Sequence, residues 1–329
     1  MFTGIEVENP TTNESEILPL PQHFFPDLLR RIQNADGGWG YHPGSQSSTE
    51  PTACSTLALQ AYEEPSGKAL SSALGWLQRT QMPEGAWPTG SGRDPGCWVT
   101  ALACLALLRS STTSESAVTQ GIKWLCNTWP AEGNLLWRLR QRWQPKAAEI
   151  VRQNHSLRGW GWTPETASWV EPTAYAIILL QNVPEDLRSP QAVERMELGE
   201  KMLYDRACPG GGWNAGNPLV YGVPGVPRIG PTAWALLALR EHPDHAAAAE
   251  GIKWLEQSYQ DIQSPGSLAL AHLCLKVYGR TAQSAESGLR NFYSTNQFLQ
   301  NVPVIAWASL AVSGVPGWLE CPPQHGGAE

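Results

Sequence analysis

The chain alternates between two kinds of predicted helical segment. One kind is amphipathic, with charges on one side and apolar residues such as Leu74 and Leu77 on the other. The other kind is small, nearly uncharged and apolar almost all round, as in residues 97–108. A helix that is apolar on every side has to be buried on every side. The alternation therefore predicts an inner set of helices surrounded by an outer set.

Glycine- and proline-rich turns separate about six pairs of these segments, at a period of roughly 45–60 residues, which is typical of a repeated supersecondary unit. Residues 121–125 and 251–255 carry the same five residues, Gly-Ile-Lys-Trp-Leu. The predicted helices lie at about 21–34, 50–62, 67–81, 97–108, around 121–125, 172–181, 190–205, 230–237, around 251–255, from 267, 281–299 and 302–312. An open solenoid does not need one apolar helix in each pair, whereas a closed inner ring does. We predict an all-α fold, a single α/α₆ toroid of six helical hairpins.

The toroid is expected to occupy most of the 329 residues as one domain. We expect a loose leader at 1–18, the toroid at 19–315 and a C-terminal tail at 316–329. A basic, aromatic segment at 131–158 interrupts the repeat as an insertion. Between residues 135 and 158, such a segment can rest on an anionic membrane surface, bind diphosphate, or pack on the barrel with its arginines solvated. These three interpretations stay open.

Composition narrows the class of protein. The formal net charge of −7 argues against a nucleic-acid binder, because phosphate binding needs a basic surface. The seven cysteines show no paired spacing, which favours a reducing compartment. No charged-then-apolar signal pattern and no apolar run of about 18 residues is present. We expect a cytoplasmic protein, with peripheral membrane contact as one option; the sequence leaves its oligomeric state open.

Two recurring sequence patterns resemble a known superfamily. The turns at Gln33–Trp39, Gln81–Trp87 and Gly210–Trp213 resemble the glutamine-tryptophan repeat of terpenoid cyclases such as squalene–hopene cyclase. Helix openings that read Glu-Pro-Thr-Ala, at 50–53 and 171–174, are similar to the inner helices of the same superfamily. The resemblance covers about residues 20–315. It implies the α/α₆ barrel that those cyclases share with protein prenyltransferase β subunits. The chain is also similar to short bacterial proteins made only of prenyltransferase and squalene oxidase repeats.

The resemblance implies two candidate acids. Class II cyclases protonate an alkene or epoxide with the middle acid of an Asp-x-Asp-Asp-Thr-Ala-like motif. Superimposing Thr-Ala on Thr-Ala places Glu171 and Glu50 at the position of that acid, with Pro172 and Pro51 where the family has a second carboxylate. A carboxylate at the start of a helix also stabilises the free N–H groups and the helix dipole without any catalytic role. Both interpretations apply to each glutamate.

Sixteen tryptophans against five phenylalanines supply candidate cavity walls. Aromatic faces attract cations, and a cyclase of this kind has to stabilise a series of carbocations. The tryptophans of the glycine turns are equally suited to filling the joints between hairpins. Residues 214–228 are a candidate lid over the barrel mouth. The candidate substrate-binding residues are Trp98, Trp160, Trp162, Trp169, Tyr175, Trp213, Tyr221, Trp234 and Trp307.

A metal site has weaker support. Protein prenyltransferases bind zinc through an aspartate, a cysteine and a histidine, and the nearest counterparts here are Asp94 with Cys97 and Asp205 with Cys208. His272 falls within a helix, where a histidine is usually a core residue, so a third zinc ligand is missing. We therefore expect neither a metal nor a cofactor.

Three functions are open at this point. The leading hypothesis is an enzyme that cyclises or isomerises an isoprenoid by protonation from Glu171 or Glu50. The second is a toroid without catalysis that binds an isoprenoid, another apolar small molecule or a protein in the same cavity. The third is a transferase resembling a prenyltransferase β subunit, which requires zinc and a partner subunit.

Overall fold

The computed structural model describes residues 23–62, 67–90, 94–110, 115–133, 153–280 and 285–320. Within these ranges the chain forms twelve α-helices and one two-stranded hairpin. The helices are α1 Phe24–Arg31, α2 Thr49–Leu59, α3 Lys68–Thr80, α4 Val99–Leu108, α5 Glu115–Asn127, α6 Val170–Asn182, α7 Pro190–Asp205, α8 Ile229–Ala238, α9 Ala246–Ser258, α10 Pro265–Val277, α11 Ala285–Ser294 and α12 Val302–Val312. The antiparallel strands are β1 Leu219–Val220 and β2 Val223–Pro224.

The even-numbered helices form a closed inner ring. Each one packs against the next, and α12 packs against α2 to complete the circle. The odd-numbered helices lie outside the ring, and α3, α5, α7, α9 and α11 each pack against the inner helix that precedes them in the chain. The first helix, α1, fills the remaining outer position against α12 and α2. The predicted all-α toroid of six hairpins is confirmed.

Burial follows the pattern of apolar residues that predicted the two rings. Every residue from Val99 to Leu107 in the inner helix α4 is buried. In the outer helix α3, by contrast, the buried residues Leu70, Ala73, Leu74, Trp76 and Leu77 are interspersed with exposed and half-buried ones. An amphipathic helix buries one stripe, and a helix inside a ring buries its whole surface.

A repeated tryptophan–threonine joint connects the glycine turns to the inner helices. The backbone N–H of Trp39 donates to Thr52 Oγ1 at 2.9 Å, and its indole N–H donates to the carbonyl oxygen of Leu29 at 2.9 Å. Similar threonine contacts occur for Trp87 with Thr100, Trp160 with Thr173, and Trp213 with Thr232. Each indole is buried, so its N–H needs a partner within the protein. The four turn tryptophans therefore hold the hairpins together.

The same turns also link neighbouring hairpins. The residue two places after each turn tryptophan offers its carbonyl to an inner helix whose first N–H groups have no partner within the helix. Thr89 O accepts from Thr49 N, Trp162 O from Trp98 N, and Ala215 O from Val170 N, at 3.1–3.2 Å. Tyr41 O accepts from Val302 N at 2.9 Å, so the first turn is joined to the last inner helix and the ring is closed.

Helix boundaries differ from the prediction at the Glu-Pro-Thr-Ala segments. The helices α2 and α6 begin at Thr49 and Val170, so the glutamate is the second helical residue and does not precede the helix. Proline then occupies the third position, which is tolerated because the first four N–H groups of a helix have no acceptor in it. The glutamates are therefore part of a helix face.

The third hairpin departs from the others. The side chain of Arg195 on α7 is completely buried between two indole rings, 4.0 Å from the Trp129 centroid and 4.2 Å from the Trp160 centroid. It donates to the carbonyls of Thr128 and Gly159, both at 3.1 Å. In the first two hairpins the comparable bridging is done by Gln33 and Gln81. Burial lowers the pKa of Arg195 to about 10.

Several predicted segments lie wholly or partly outside the described residues. These are the leader at 1–18, most of the insertion (134–152) and the end of the tail (321–329). The described part of the tail packs on the barrel, since Trp318 and Leu319 are buried and Asn182 Nδ2 donates to Trp318 O at 2.9 Å. Among the described helices, none is long and apolar enough to span a membrane.

Candidate functional site

The threonines of the joints determine which side chains face the barrel axis. Successive residues of a helix are rotated by about 100°, so a residue two places away lies almost opposite. Thr173 faces outward to the Trp160 turn, and Glu171 and Tyr175 therefore face inward, one turn apart. On α2, Glu50 precedes the outward-facing Thr52 by two residues, so it also faces the interior. On α8, Trp234 follows the outward-facing Thr232 by two residues and faces the interior for the same reason.

Aromatic rings form a continuous row across this interior. Trp98 stacks on Tyr175 at 5.4 Å between centroids, and Tyr175 meets Trp234 edge-on at 4.7 Å. Trp234 in turn meets Trp307 at 5.0 Å. Helix α10 stands between the helices that carry these last two tryptophans, so their contact lies inside the ring. At the other end of the row, Trp162 meets Trp98 edge-on at 5.0 Å. We call these rings, together with Glu50 and Glu171, the axial site.

Within the described ranges, Tyr41 is the hydrogen-bond partner of the Glu50 side chain. The Tyr41 hydroxyl donates to Glu50 Oε2 at 2.5 Å. Burial raises the pKa of Glu50, and the hydrogen bond from Tyr41 opposes that rise because it stabilises the carboxylate. Glu50 is thus a partly buried carboxyl whose ionised form has a dedicated donor.

Glu171 has neither a hydrogen-bond donor nor an ion-pair partner among the described residues. Its side chain is half-buried and lies beside Gly230 of α8. Gly230 precedes the joint threonine Thr232 by two residues, as Glu171 precedes Thr173. Burial raises the pKa of Glu171, and the negative charge of Glu50 raises it further. An ionised Glu50 therefore makes loss of the proton from Glu171 less favourable. The two glutamates identified in the sequence are close enough for their charges to interact.

The remaining predicted aromatics fall into three places. Trp162 and Trp169 are half-buried at the rim, next to Trp98 and at the start of α6. Trp160 and Trp213 are buried in the joints, where their indole N–H groups donate to backbone carbonyls, and neither belongs to the axial site. Tyr221 is 75% exposed at the tip of the hairpin that forms the centre of the predicted lid.

The residues weighed as zinc ligands in the sequence form no three-ligand group among the described residues. No group of three His, Cys, Asp or Glu side chains within the described ranges is arranged to hold a metal ion. His272 lies on α10, where its Nδ1 is 3.2 Å from the Tyr259 hydroxyl. Burial and the charge of Lys276 lower the pKa of His272 to about 4, so it is a neutral imidazole at physiological pH.

Sequence reasoning missed Tyr41, the partner of Glu50. The signal was present in the first glycine turn, where residues 38–41 read Gly-Trp-Gly-Tyr and residues 159–162 read Gly-Trp-Gly-Trp. Alignment of the two turns puts Tyr41 and Trp162 at the same place, two residues after the joint tryptophan. Both are aromatic and both reach the rim of the axial site.

Comparison with known proteins relates this chain to solved structures only. No protein-family model matches the sequence, and no curated protein matches it either. A protein from Actinoplanes is 15% identical, with a TM-score of 0.57 over 88% of this chain and 96% of that one. A variant of the type II terpene cyclase MstE from Scytonema, in complex with geranylgeranyl dihydroxybenzoate, is 14% identical, with a TM-score of 0.57 over 88% and 95%.

The fold is also that of carbohydrate-active proteins. An inactive variant of an α-1,6-mannanase from Salegentibacter, in complex with α-1,6-mannotriose, is 9% identical, with a TM-score of 0.55 over 88% of this chain and 98% of that one. At these identities the likeness shows the fold alone. The chain is thus an α/α toroid whose structural neighbours include both terpene cyclases and glycosidases.

Proposed function

We propose that the protein is an enzyme that protonates an apolar, isoprenoid-type substrate in the axial site and promotes its cyclisation or isomerisation. The observation that carries this proposal is the placement of Glu171. It faces the barrel axis without a hydrogen-bond partner among the described residues, one helical turn before Tyr175, which belongs to the aromatic row. A carboxyl in this position is a general acid that remains protonated to higher pH than an exposed glutamate.

In the proposed reaction, the O–H bond of Glu171 breaks and its proton forms a bond to a terminal alkene carbon or an epoxide oxygen. With an alkene, the π electron pair forms the new C–H bond and leaves a carbocation. With an epoxide, a lone pair on oxygen forms the new O–H bond, and the C–O bond then breaks, its electron pair going to oxygen and leaving a carbocation. Neighbouring double bonds then attack the cation and close rings, and loss of a proton to water ends the sequence. A raised pKa makes Glu171 a weak donor, so an epoxide oxygen, which is more basic than an alkene carbon, is the better acceptor.

Glu50 and Tyr41 have a supporting role in this proposal. The Tyr41 hydroxyl stabilises Glu50 as a carboxylate, and that charge keeps the proton on Glu171. Tyr41 is thus a positioning residue that acts through Glu50. The carboxylate of Glu50 also attracts positive charge that develops in the interior.

The aromatic row supports the later steps. Faces of Trp98, Tyr175 and Trp234 can each attract a cation by about 0.5–2 kcal/mol, depending on how far water is excluded. Their ring-to-ring contacts fix their orientation, so this attraction needs no rearrangement during the reaction.

A glycoside hydrolase is the second candidate. Two facing carboxyls are the usual requirement for glycosidic bond cleavage, and the raised pKa of Glu171 suits the acid of such a pair. The fold of a mannanase is among the neighbours. The largely aromatic wall favours the isoprenoid over the sugar, and the two candidates separate by product analysis.

The test is incubation of the purified protein with squalene, oxidosqualene, linear prenyl diphosphates and α-linked mannan oligosaccharides, followed by mass spectrometry. We expect a cyclised or isomerised product from an isoprenoid with the wild type. The Glu171→Gln variant should lose this activity by at least about 10²-fold, the usual contribution of a general acid.

Glu165→Gln is the matched control, because Glu165 is an exposed glutamate in the turn before the same helix. It should retain wild-type activity. Unchanged substrates with all three proteins contradict the enzyme proposal and leave a toroid that only binds. Hydrolysis of mannan that requires Glu171 supports the glycosidase in its place.

A further inference from the structure

A cavity lies at the end of the barrel opposite to the axial site. It has a volume of about 660 Å³ and opens between the outer helices α5 and α7. Its base is formed by Leu107 and Leu180, at the C-terminal ends of the inner helices α4 and α6. The glutamates of the axial site are at the N-terminal ends of inner helices, so the two sites are separated by the length of the ring. Ligand sites for molecules of drug size commonly measure about 300–1,000 Å³.

The wall of this cavity is mostly apolar. Val118, Ile122 and Cys126 line it from α5, and Val183 lines it from the segment after α6. Leu187 stands at the edge with 68% of its surface exposed. Leu187 thus continues the apolar lining of the cavity to the protein surface.

The identical pentapeptides show that the hollow is specific to this joint. Residues 121–125 on α5 and 251–255 on α9 have the same sequence, yet Ile252 is 5% exposed whereas Ile122 is only half-buried and faces the cavity. Local sequence therefore does not create the cavity. The gap between α5 and α7 creates it.

The rim of the cavity carries more positive than negative character. Lys123 is exposed and makes no ion pair with a described residue. Arg188 is held by the carbonyls of Val183 and Gln181, at 2.8 and 2.7 Å, and these contacts leave its charge unneutralised. The N-terminus of α7, which begins after Ser189, adds a partial positive charge. Among the described residues that line the cavity, Glu115 is the acid, and Lys123 and Arg188 outnumber it.

We propose that this cavity between α5 and α7 binds a single-chain amphipathic anion. Its apolar chain lies against Leu107, Leu180 and Ile122, and its carboxylate or phosphate head lies at Lys123 and Arg188. The proposal does not depend on the reaction at the axial site. It assigns the protein a second ligand, whose head group is either a carboxylate, as in a fatty acid, or a phosphate, as in an alkyl or prenyl phosphate.

Calorimetric titration with dodecanoate and dodecyl phosphate, below their micelle-forming concentrations, tests the proposal and distinguishes the two head groups. One equivalent of at least one of them should bind. Shortening the chain from twelve to ten carbons should weaken binding by about fourfold per methylene, the equivalent of 0.8 kcal/mol. Equal binding of dodecyltrimethylammonium, or no binding of either anion, overturns the proposal.

Variants locate the bound anion. Ile122→Trp fills the cavity and should weaken binding more than about tenfold, since it displaces at least two methylenes of the chain. Thr119→Trp is the second filling variant, on an exposed lining residue, in case the first one unfolds. Ala249→Trp is its control, because Ala249 is the exposed residue at the same place on α9.

Charge reversal completes the test. Lys123→Glu should weaken binding by about fivefold, as expected for a surface ion pair that becomes a repulsion, whereas Lys253→Glu in the second pentapeptide should have no effect. Binding that survives both filling variants in folded protein overturns the location. Loss of binding in these variants with unchanged catalysis separates this cavity from the axial site.

Discussion

The two copies of Glu-Pro-Thr-Ala have the same backbone role and different chemistry. In both copies the glutamate is the second residue of an inner helix and the threonine accepts from the joint tryptophan at 2.9 Å. The difference is the residue two places after that tryptophan. Tyr41 donates a hydrogen bond to Glu50, whereas Trp162 packs on Trp98 and leaves Glu171 without a donor. The same helix start can therefore hold a carboxyl with a dedicated hydrogen-bond donor or a carboxyl without one, depending on one loop side chain.

The largest expected effect on stability comes from removing the joint tryptophan of either copy. Trp39→Ala and Trp160→Ala should each lower the free energy of unfolding by about 3–5 kcal/mol, because each removes a buried indole. The loss should be greater for Trp160, since Arg195 would lose one of its two stacking rings. Urea unfolding measures both values. Equal or smaller loss at Trp160 would contradict the role given to Arg195.

A smaller effect is expected from the threonines of the two copies. Thr52→Val and Thr173→Val keep the shape of the side chain but remove the acceptor of a buried backbone N–H. Each should cost about 1–3 kcal/mol, the usual penalty for a buried unpaired donor. The same unfolding measurement applies. If the two costs differ widely, the joints are not equivalent and the comparison fails.

Tyr41→Phe should lower the free energy of unfolding by about 0.5–1 kcal/mol, because it removes the hydrogen bond that, among the described residues, only the first copy has. The hydrogen bond from Tyr41 favours the ionised form of Glu50 and lowers its pKa, so its contribution is present when Glu50 is ionised and is lost as pH falls. The variant should be less stable than the wild type at pH 8 and equally stable at pH 3. Trp162→Phe is the control, and its effect on stability should not change with pH.

Glu171→Gln should have the smallest effect on stability, and at pH 8 it should make the protein more stable. The folded-state pKa of Glu171 is raised, so the wild type loses stability as pH rises from the ordinary glutamate pKa through the raised one. The uncharged glutamine avoids that loss. Thermal unfolding should show a higher midpoint for the variant at pH 8 and no difference at pH 3. A lower midpoint at pH 8 would mean that the ionised carboxylate has a stabilising partner.

The sequence predicted the fold because the fold depends on repeated local features. Helical spacing and flanking prolines located α7 at 190–205 and α12 at 302–312, which agree with the structure. The glutamine-tryptophan turns predicted the joints, and their hydrogen bonds are now visible. The apolar helices predicted that a closed ring would form.

The site could be predicted only in part. The Glu-Pro-Thr-Ala pattern identified Glu171 and Glu50 as candidate acids, but the sequence left open whether they face the interior or only stabilise a helix start. The contacts of the joint threonines, two residues after each glutamate, decide this in the structure. The Tyr41–Glu50 contact could not be predicted, because Tyr41 lies in an irregular loop whose path depends on its bond to Val302 of the last helix. The burial of Arg195 between two tryptophans depends on side chains from three separate segments, and no spacing in the sequence indicates it.

We infer that the negative charge of an ionised Glu50 keeps Glu171 protonated to higher pH. Infrared difference titration of the carboxyl C=O band, with Glu171→Gln to assign the signal of Glu171, tests this directly. In the wild type, Glu171 should remain protonated above the range of exposed glutamates, and in Glu50→Gln its pKa should fall. Titration of Glu171 within the ordinary range, or a pKa that does not change in Glu50→Gln, would contradict the account.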